Sequence, residues 1–263
     1  MNARDNDPIA ISERELTSMT SDLKDMHEDS MVQVRDNMAS LTDRLAGIAQ
    51  SQASRRSLLV GSLAVAGVGV LAACGSNSSG GKSAGPSTNP PGGSSPYMGD
   101  LKVVALAAAL ENLAVAGYGL VLANAGKGAY GKVPPAIAEF ATVAQKQHKD
   151  HGAAWNSVLK GAGLPKVTGT PLTIAPQAVS ALKSAKTLGD VAKVAQGLES
   201  AAAQTYVFAA ANVADPGGIA TAASIAPVEA MHEAILLFVL GQYPVPNSDI
   251  GISGAVQPSA LTA

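Results

Sequence analysis

The residues of this chain that are best suited to chemistry are glutamates and histidines placed in apolar, helix-forming segments. A phrase of the form Leu-Glu-x₆-Tyr-x₅-Asn occurs twice, with its glutamates at Glu111 and Glu199. A carboxylate in an Ala/Val/Leu-rich helix is costly to bury without a partner, so two such helices indicate one shared site. Three of the four histidines, His148, His151 and His232, follow these two helices. The pattern predicts a metal site inside a helical bundle.

One histidine also has a carboxylate at the spacing that a helical metal site requires. Glu229 and His232 form a Glu-x-x-His pair, and residues i and i+3 project from the same face of a helix. A single ion can therefore bind both side chains. Pro227 lies two residues before the pair, which predicts a kink in the helix or a later helix start.

Four helices are predicted to position these residues, and no alternating β pattern occurs between Met98 and Gln242. A long connection from Ala162 to Lys186, with a short helical stretch inside it, separates two tight hairpins. An all-α bundle of four helices with one long crossover follows from this order. The predicted helices run from an N-cap at Asp100 to Ala125, from Pro134 to Lys160, from a capping box at Thr187 and Asp190 to Asp215, and from about Gly218 to Gly241.

Distances along the chain place the polar residues at one height in each hairpin. Glu111 lies 37 residues before His148, and this interval is centred on the predicted loop 126–133. Glu199 lies 33 residues before His232, and this interval is centred on the turn of the second hairpin. Residues equidistant from a turn lie level with each other in an antiparallel hairpin. Each glutamate is therefore predicted to face histidines halfway along the bundle.

Together these residues resemble the ferritin-like superfamily of di-metal carboxylate proteins, and in particular its exported or anchored bacterial members. That family has one glutamate on each of two helices and Glu-x-x-His on each of the other two. The resemblance implies a ferritin-like four-helix bundle that binds one or two ions of iron or manganese, metals that carboxylates with a few imidazoles suit better than copper. The metal ligands that it implies are Glu111, His148, His151, Glu199, Glu229 and His232.

The second predicted helix departs from the family pattern, because no glutamate lies three residues before either of its histidines. If His148 is the family histidine, Gln145 replaces the carboxylate. If His151 is the family histidine, His148 occupies the carboxylate position. The second register is favoured, because apolar residues follow His151 at the same spacing as they follow His232. The site would then hold one or two ions, or none if it is degenerate.

Two tyrosines and one glutamine are expected around the ligands. Tyr118 and Tyr206 each lie seven residues after their glutamate, two helical turns along the same face. The resemblance implies that these tyrosines hydrogen-bond to ligands of the opposite half and orient them. Gln145 is expected in the same surrounding layer.

The region before the bundle resembles an export signal. Arg55 and Arg56 form a twin-arginine pair ahead of the apolar run Leu58–Ala73, which is short for a stable span. The run ends at Leu-Ala-Ala-Cys74, which resembles a lipobox. We expect the twin-arginine export machinery to carry the chain and a lipid on Cys74 to hold it on the outer face of the cytoplasmic membrane. Since Cys74 is the only cysteine, intrachain disulfides and cysteine-based zinc sites are excluded.

Residues 1–53 read as an amphipathic helical extension with a phase break near Ser30. Two interpretations stay open. The segment is a cytosolic docking segment for an export partner, or the true translation start is a later methionine. His27 is expected to be exposed and without a role. The remaining boundaries are a signal peptide over 54–74, a Gly/Ser/Pro-rich tether over 75–97, the bundle over 98–242 and a C-terminal tail over 243–263.

Charge and hydropathy argue against two other interpretations, a nucleic-acid-binding protein and a bundle whose helices span a membrane. The chain after Cys74 has eleven lysines against ten acidic residues and no arginine, so a nucleic-acid partner is not expected. The segments Leu101–Ala125 and Gly218–Gly241 are long and apolar enough to suggest membrane spans. A central glutamate in an Ala-rich helix fits a buried bundle helix better.

Two functions remain for the bundle. The first is metal-dependent oxidation of Fe(II), or reaction with oxygen or peroxide, by an anchored ferritin-like protein. The second is a metal-free bundle that serves as a non-catalytic binding or structural module of the cell envelope. Stoichiometric metal in the purified protein distinguishes them.

Overall fold

Six helices make up most of the part of the chain that the computed structural model describes, residues 12–61 and 95–263. Within those residues the only extended pairing is an isolated bridge between Leu172 and Leu261, and the all-α prediction is confirmed. α2 packs with α3, and α5 packs with α6, as the two predicted hairpins require. In chain order the helices are α1 (Glu13–Gly61), α2 (Asp100–Gly126), α3 (Pro135–Gly161), α4 (Ala175–Ser184), α5 (Leu188–Asn212) and α6 (Pro216–Val239).

The helix starts are set by side-chain capping, in one case differently from the prediction. Thr187 and Asp190 form the predicted capping box of α5. Asp100 lies inside the first turn of α2 and does not cap it. Its carboxylate instead accepts hydrogen bonds from the backbone N–H groups of Ala214 and Asp215, each at 3.0 Å. Asp100 therefore ties the α5–α6 turn to the beginning of α2.

α6 begins earlier than predicted and continues through its internal proline. Asp215 is the N-cap, and its carboxylate accepts the N–H groups of Gly217 at 2.7 Å and Gly218 at 3.3 Å. Pro216 takes the first helical position, where its missing N–H costs nothing. Pro227 lies in the helix interior and marks no helix start.

α2 and α6 are core helices of the bundle. Both are long and apolar enough to cross a membrane by length and composition, with mean hydropathy of 1.6 and 1.5. Most of each helix is nevertheless buried against other helices, and residues such as Val104 and Leu106 have no exposed surface. Burial by neighbouring helices accounts for their apolar composition, as the bundle interpretation expected.

α1 packs against α3 and α6, which differs from the separate extension expected over residues 1–53. The phase break predicted near Ser30 is absent, because the buried stripe passes through Thr20 and His27 rather than through Met19 and Met26. Met26 is 54% exposed. The buried residues of α1 recur at every third or fourth position: Leu16, Thr20, Leu23, His27, Met31, Val34, Met38 and Leu41.

The structure describes the segment after the bundle but only part of the segment before it. The tail after Gln242 folds back, with the Val256 N–H donating to the Thr205 hydroxyl at 2.8 Å and the Thr262 N–H to the Pro171 carbonyl at 2.9 Å. Residues 62–94, which include Cys74 of the predicted lipobox, lie outside the described residues. The backbone at Arg55 and Arg56 belongs to α1.

Asp215 makes two interactions that substitutions can separate. Asp215→Ala removes both the cap of α6 and the 3.3 Å ion pair with Arg44, and should lower the free energy of unfolding by about 1 kcal/mol. Asp215→Asn keeps a capping oxygen and loses only the ion pair, which as a partly exposed pair is worth a few tenths of a kcal/mol. Urea denaturation measures both variants. Equal losses would contradict the capping role.

Candidate metal centre

The structure brings all six predicted ligand residues into one cluster halfway along the bundle. Every member is at most 3% exposed. Each of the four bundle helices contributes, so no hairpin holds the cluster alone. α2 supplies Glu111, α3 supplies His148 and His151, α5 supplies Glu199, and α6 supplies Glu229 and His232.

The cluster consists of two overlapping groups, in each of which the ligand atoms lie within 4.8 Å of one another. His148 and Glu229 belong to both groups. The first group adds Glu111 and His151, and the second adds Glu199 and His232. The pair His148–His151 on α3 thus corresponds to the pair Glu229–His232 on α6, and His148 takes the place of a carboxylate. This arrangement agrees with the second of the two registers considered from sequence.

His148 lies between the two single glutamates. Its Nδ1 atom is 2.7 Å from Glu111 Oε2, and its Nε2 atom is 3.2 Å from Glu199 Oε1. A neutral imidazole has a lone pair on only one ring nitrogen and a proton on the other. His148 can therefore offer a lone pair to one of the two groups at a time, whereas a carboxylate at this position could serve both.

Two members of the first group carry buried polar atoms that lack hydrogen bonds. Both ring nitrogens of His151 and the Oε1 atom of Glu229 have no hydrogen-bond partner among the described residues. His151 Nδ1 lies 3.0 Å from Glu229 Oε1, but the ring N–H does not point at that oxygen. Buried polar groups are nearly always paired. These atoms lie at ion-pair distance but outside hydrogen-bond geometry, an arrangement that suits either a protonated His151 or a cation bound between them.

Two tyrosines tie the halves of the bundle together at the cluster. The Tyr118 hydroxyl on α2 donates to Glu199 Oε1 on α5 at 2.5 Å, and the Tyr206 hydroxyl on α5 donates to Glu111 on α2. Trp155 Nε1 donates in turn to the Tyr206 hydroxyl at 2.9 Å. Burial, and then the neighbouring carboxylates, raise the pKa of both tyrosines well above the usual value. Both tyrosines therefore remain protonated donors that orient the carboxylates.

The glutamine beside the cluster is Gln147, which sequence reasoning missed, and not Gln145. Gln145 is half-buried and bonds to the Val115 carbonyl and to Lys149. Gln147 is 2% exposed, and its Oε1 atom lies 2.7 Å from His232 Nε2. The available signal was its helical position, four residues before His151 on the face that carries the ligands.

The expectation that His27 is exposed is wrong. Its side chain is 2% exposed, its ring centroid lies 5.0 Å from that of His151, and its Nε2 atom lies 3.5 Å from Asp150 Oδ2. Burial, followed by the charge of His151, lowers the pKa of His27 to about 4. The histidine is therefore neutral at neutral pH and forms part of the wall around the cluster.

Without a metal, the cluster is a network of carboxylates paired with protonated imidazoles. Burial alone would raise the pKa of Glu111, but His151 and His148 lower it to about 2. Burial alone would lower the pKa of His151, but Glu111 and other carboxylates raise it to about 9. Burial opposes ionisation of Glu199 as well, yet His148 and His232 hold its pKa well below the usual value. Three glutamates and three histidines can therefore neutralise each other.

An apolar cavity of about 80 Å³ adjoins the cluster. Glu111, His148 and Glu199 form its polar end, and side chains such as Leu113 and Phe140 form the walls. A cavity with apolar walls favours small apolar molecules over water. Dioxygen has a suitable size and polarity to enter it and to reach the ligand atoms.

The protonated histidines make the stability of the metal-free protein depend on pH. The pKa of His151 is about 9 in the folded protein instead of 6.5. Protonated His151 therefore stabilises the folded state fully below pH 6.5, and this stabilisation is lost as the pH rises to 9. The pKa of Glu111, about 2 instead of 4.5, stabilises it above pH 4.5 and is lost as the pH falls to 2. Between pH 6.5 and 9 the free energy of unfolding should fall by about 3 kcal/mol. Urea denaturation with a chelator present measures it, and a rise over this range would contradict the network.

Comparison with known proteins agrees with this geometry. No curated protein and no solved structure matches the chain. A family described as the ferritin-like domain matches residues 99–242, a segment that runs from α2 to α6 and contains the whole cluster but not α1. The match covers more than half of the chain, which therefore belongs to the ferritin-like domain family.

Proposed function

We propose that this protein binds iron or manganese in the buried cluster and holds it outside the cytoplasmic membrane, anchored by a lipid on Cys74. The observation that carries the metal proposal is the pair of overlapping ligand groups, with unpaired donor atoms on His151 and Glu229. Such atoms are costly in an apolar bundle unless a protonated histidine or a bound metal ion compensates them. The mixed carboxylate and imidazole donor set suits iron and manganese.

Charge and donor count favour one ion per chain. The three glutamates contribute three negative charges, which one divalent ion and one protonated histidine balance. Two divalent ions would leave one uncompensated positive charge in a buried site. His148 also offers a lone pair to only one of the two groups. The proposed resting state is therefore one tightly bound ion, with a weaker second position.

The side chains of this site can position a metal and exclude water from it. Bound iron would supply electrons to dioxygen or peroxide, with Fe(II) as the substrate to be oxidised. Tyr118 and Tyr206 hold the carboxylates of Glu199 and Glu111 in place by hydrogen bonds. The apolar cavity gives dioxygen a route to the ligands. Metal binding requires the histidine ligands to give up their protons.

Export and anchoring rest on the twin-arginine pair at Arg55 and Arg56, the apolar run after it, and the single cysteine Cys74. The twin-arginine route carries folded proteins, which suits a bundle that folds before it is exported. The Gly/Ser/Pro-rich stretch after Cys74 is suited to be a flexible tether between a lipid anchor and the bundle.

A second candidate function is a metal-free bundle that serves as a binding or structural module of the envelope. The observation that favours it is the replacement of a carboxylate by His148, since three glutamates and three histidines can neutralise each other without a metal. In this case the protein is fully folded when it is empty. The two functions are distinguished by metal content and by the response of the protein to added Fe(II).

Metal analysis of the purified protein, expressed with iron and manganese supplements, tests the first function. We expect about one ion per chain, and a loss of at least tenfold in the Glu199→Ala, His232→Ala double variant. Glu139→Ala with Glu233→Ala is the matched control, because both glutamates lie on the same bundle but outside the cluster. A folded parent that stays empty on anaerobic Fe(II) titration would overturn the metal proposal and support the second candidate.

Restoring the carboxylate on α3 tests the assignment of His148. His148→Glu provides a fourth carboxylate that can serve both groups and balance two divalent ions. We expect the metal content to rise from about one to about two ions per chain under saturating Mn(II), measured by equilibrium dialysis. His148→Gln, which is neutral and cannot balance the charge of a second ion, should bind no more than the parent. An equal gain in both variants would contradict the charge argument.

A further inference from the structure

α1 forms one wall of the metal cluster. Gln147 connects the two, since its Nε2 atom donates to the Leu23 carbonyl on α1 at 3.3 Å and its Oε1 atom lies 2.7 Å from His232 Nε2. The ring of His27 on α1 lies 5.0 Å, centroid to centroid, from the ring of His151. Removing α1 would therefore take away the partner of Gln147 and uncover His151.

The fit of α1 on the bundle is close. A Cβ atom at Gly217 of α6 would lie 2.6 Å from the Asn37 carbonyl oxygen, and one at Gly161 of α3 would lie 2.0 Å from a methyl carbon of Thr42. The first distance is too short for any residue other than glycine without a shift of the α1 backbone, and the second requires the Thr42 side chain to move. These two close contacts, together with the buried stripe of α1, indicate a specific interaction surface on α3 and α6.

The position of the export signal restricts when this interaction can exist. The apolar run Leu58–Ala73 begins in the last turn of α1 and separates the docked part of that helix, residues 13–44, from the bundle in the chain. If this run stays in the membrane uncut, α1 and the bundle lie on opposite sides. If the chain is cut before Cys74, α1 leaves with the signal peptide. Under both outcomes α1 can contact α3 and α6 only before the bundle crosses the membrane.

We infer that α1 is a temporary cover for the metal cluster, bound to the α3–α6 surface in the unprocessed chain inside the cell and removed by export. The inference rests on the export part of the proposed function. Residues 13–44 of α1 pack against α3 and α6 of the same chain in this state. While α1 is bound, the cluster is closed beside His151, and metal enters or leaves slowly. After its loss, that side of the cluster is open to ions and to substrates in the envelope.

The first test locks the cover in place. Thr42→Cys with Gly161→Cys, in a full chain that carries Cys74→Ser, places the two Cβ atoms 3.3 Å apart, close to the range of about 3.5–4.5 Å found in disulfides. We expect this disulfide to form on oxidation. Ala39→Cys with Thr42→Ala and Gly161→Cys, which removes the Thr42 methyl carbon that lies 2.0 Å from a Cβ at residue 161 and in which residue 39 is exposed, should not form one. Failure of the first pair to react would overturn the inference and leave the proposed function intact.

The second test measures what the cover does. Leu41 has no exposed surface, so Leu41→Lys should displace α1. We expect Mn(II) uptake to be at least tenfold slower in the oxidised disulfide variant than in Leu41→Lys, with the parent between them. Hydrogen exchange of the α3 amides near His151 should follow the same order without any metal. Equal hydrogen exchange in all three proteins would overturn the inference that α1 covers the cluster. Slow exchange in the disulfide variant and fast exchange in Leu41→Lys, without Mn(II) binding in any of them, would overturn only the metal proposal.

The third test follows the chain in twin-arginine-competent bacterial cells. We expect a membrane-bound product that begins at Cys74 and lacks α1, and an unprocessed form with Arg55→Lys and Arg56→Lys. Mass spectrometry of the N-terminus identifies the two products. An exported product that retains α1 would overturn the inference alone. A chain that is never exported, but still forms the disulfide, would overturn the export proposal and make α1 a permanent fifth helix.

Discussion

The structure depends on the burial of three carboxylates and three imidazoles in the middle of an apolar bundle. Groups of this kind are tolerated in such a place only when each one is paired or bound to a cation. Each of the four bundle helices supplies at least one of the six side chains, so the pairing holds α2, α3, α5 and α6 at a common height. Tyr118 and Tyr206 extend the pairing across the hairpins. The apolar residues provide most of the stability, and the polar cluster specifies how the helices align.

The replacement of one carboxylate by His148 changes the character of this centre. Four carboxylates and two imidazoles carry an excess of negative charge that only cations can balance. Three carboxylates and three imidazoles reach neutrality with protons alone, so a metal ion would have to displace protons from the same buried groups. A protein of this composition can fold empty and take up metal later. Its occupancy then depends on pH and on the supply of metal in its compartment.

Under the proposed export, α1 connects the chemistry of the cluster to the route of the protein through the cell. Its buried stripe places Leu23 and His27 beside Gln147 and His151, and the predicted twin-arginine pair lies near the C-terminal end of the same helix. A helix that closes the cluster and is lost on export would separate a closed state inside the cell from an open state outside. The family match begins at residue 99, after α1 in the chain, so α1 is not part of the family's common fold.

The repeat, the Glu-x-x-His pair and the hairpin spacing were sufficient to predict the bundle and to name six residues that the fold brings together. They were sufficient because the 3.6-residue period and the equal distances from a turn are properties of local sequence. The partners of Asp100, the place of Gln147 and the burial of His27 depend on which helices approach one another, and that was decided by packing between distant segments. His27 shows the reason most clearly: its own helix is polar enough to be read as exposed, and only the docking of α1 on α3 and α6 buries it.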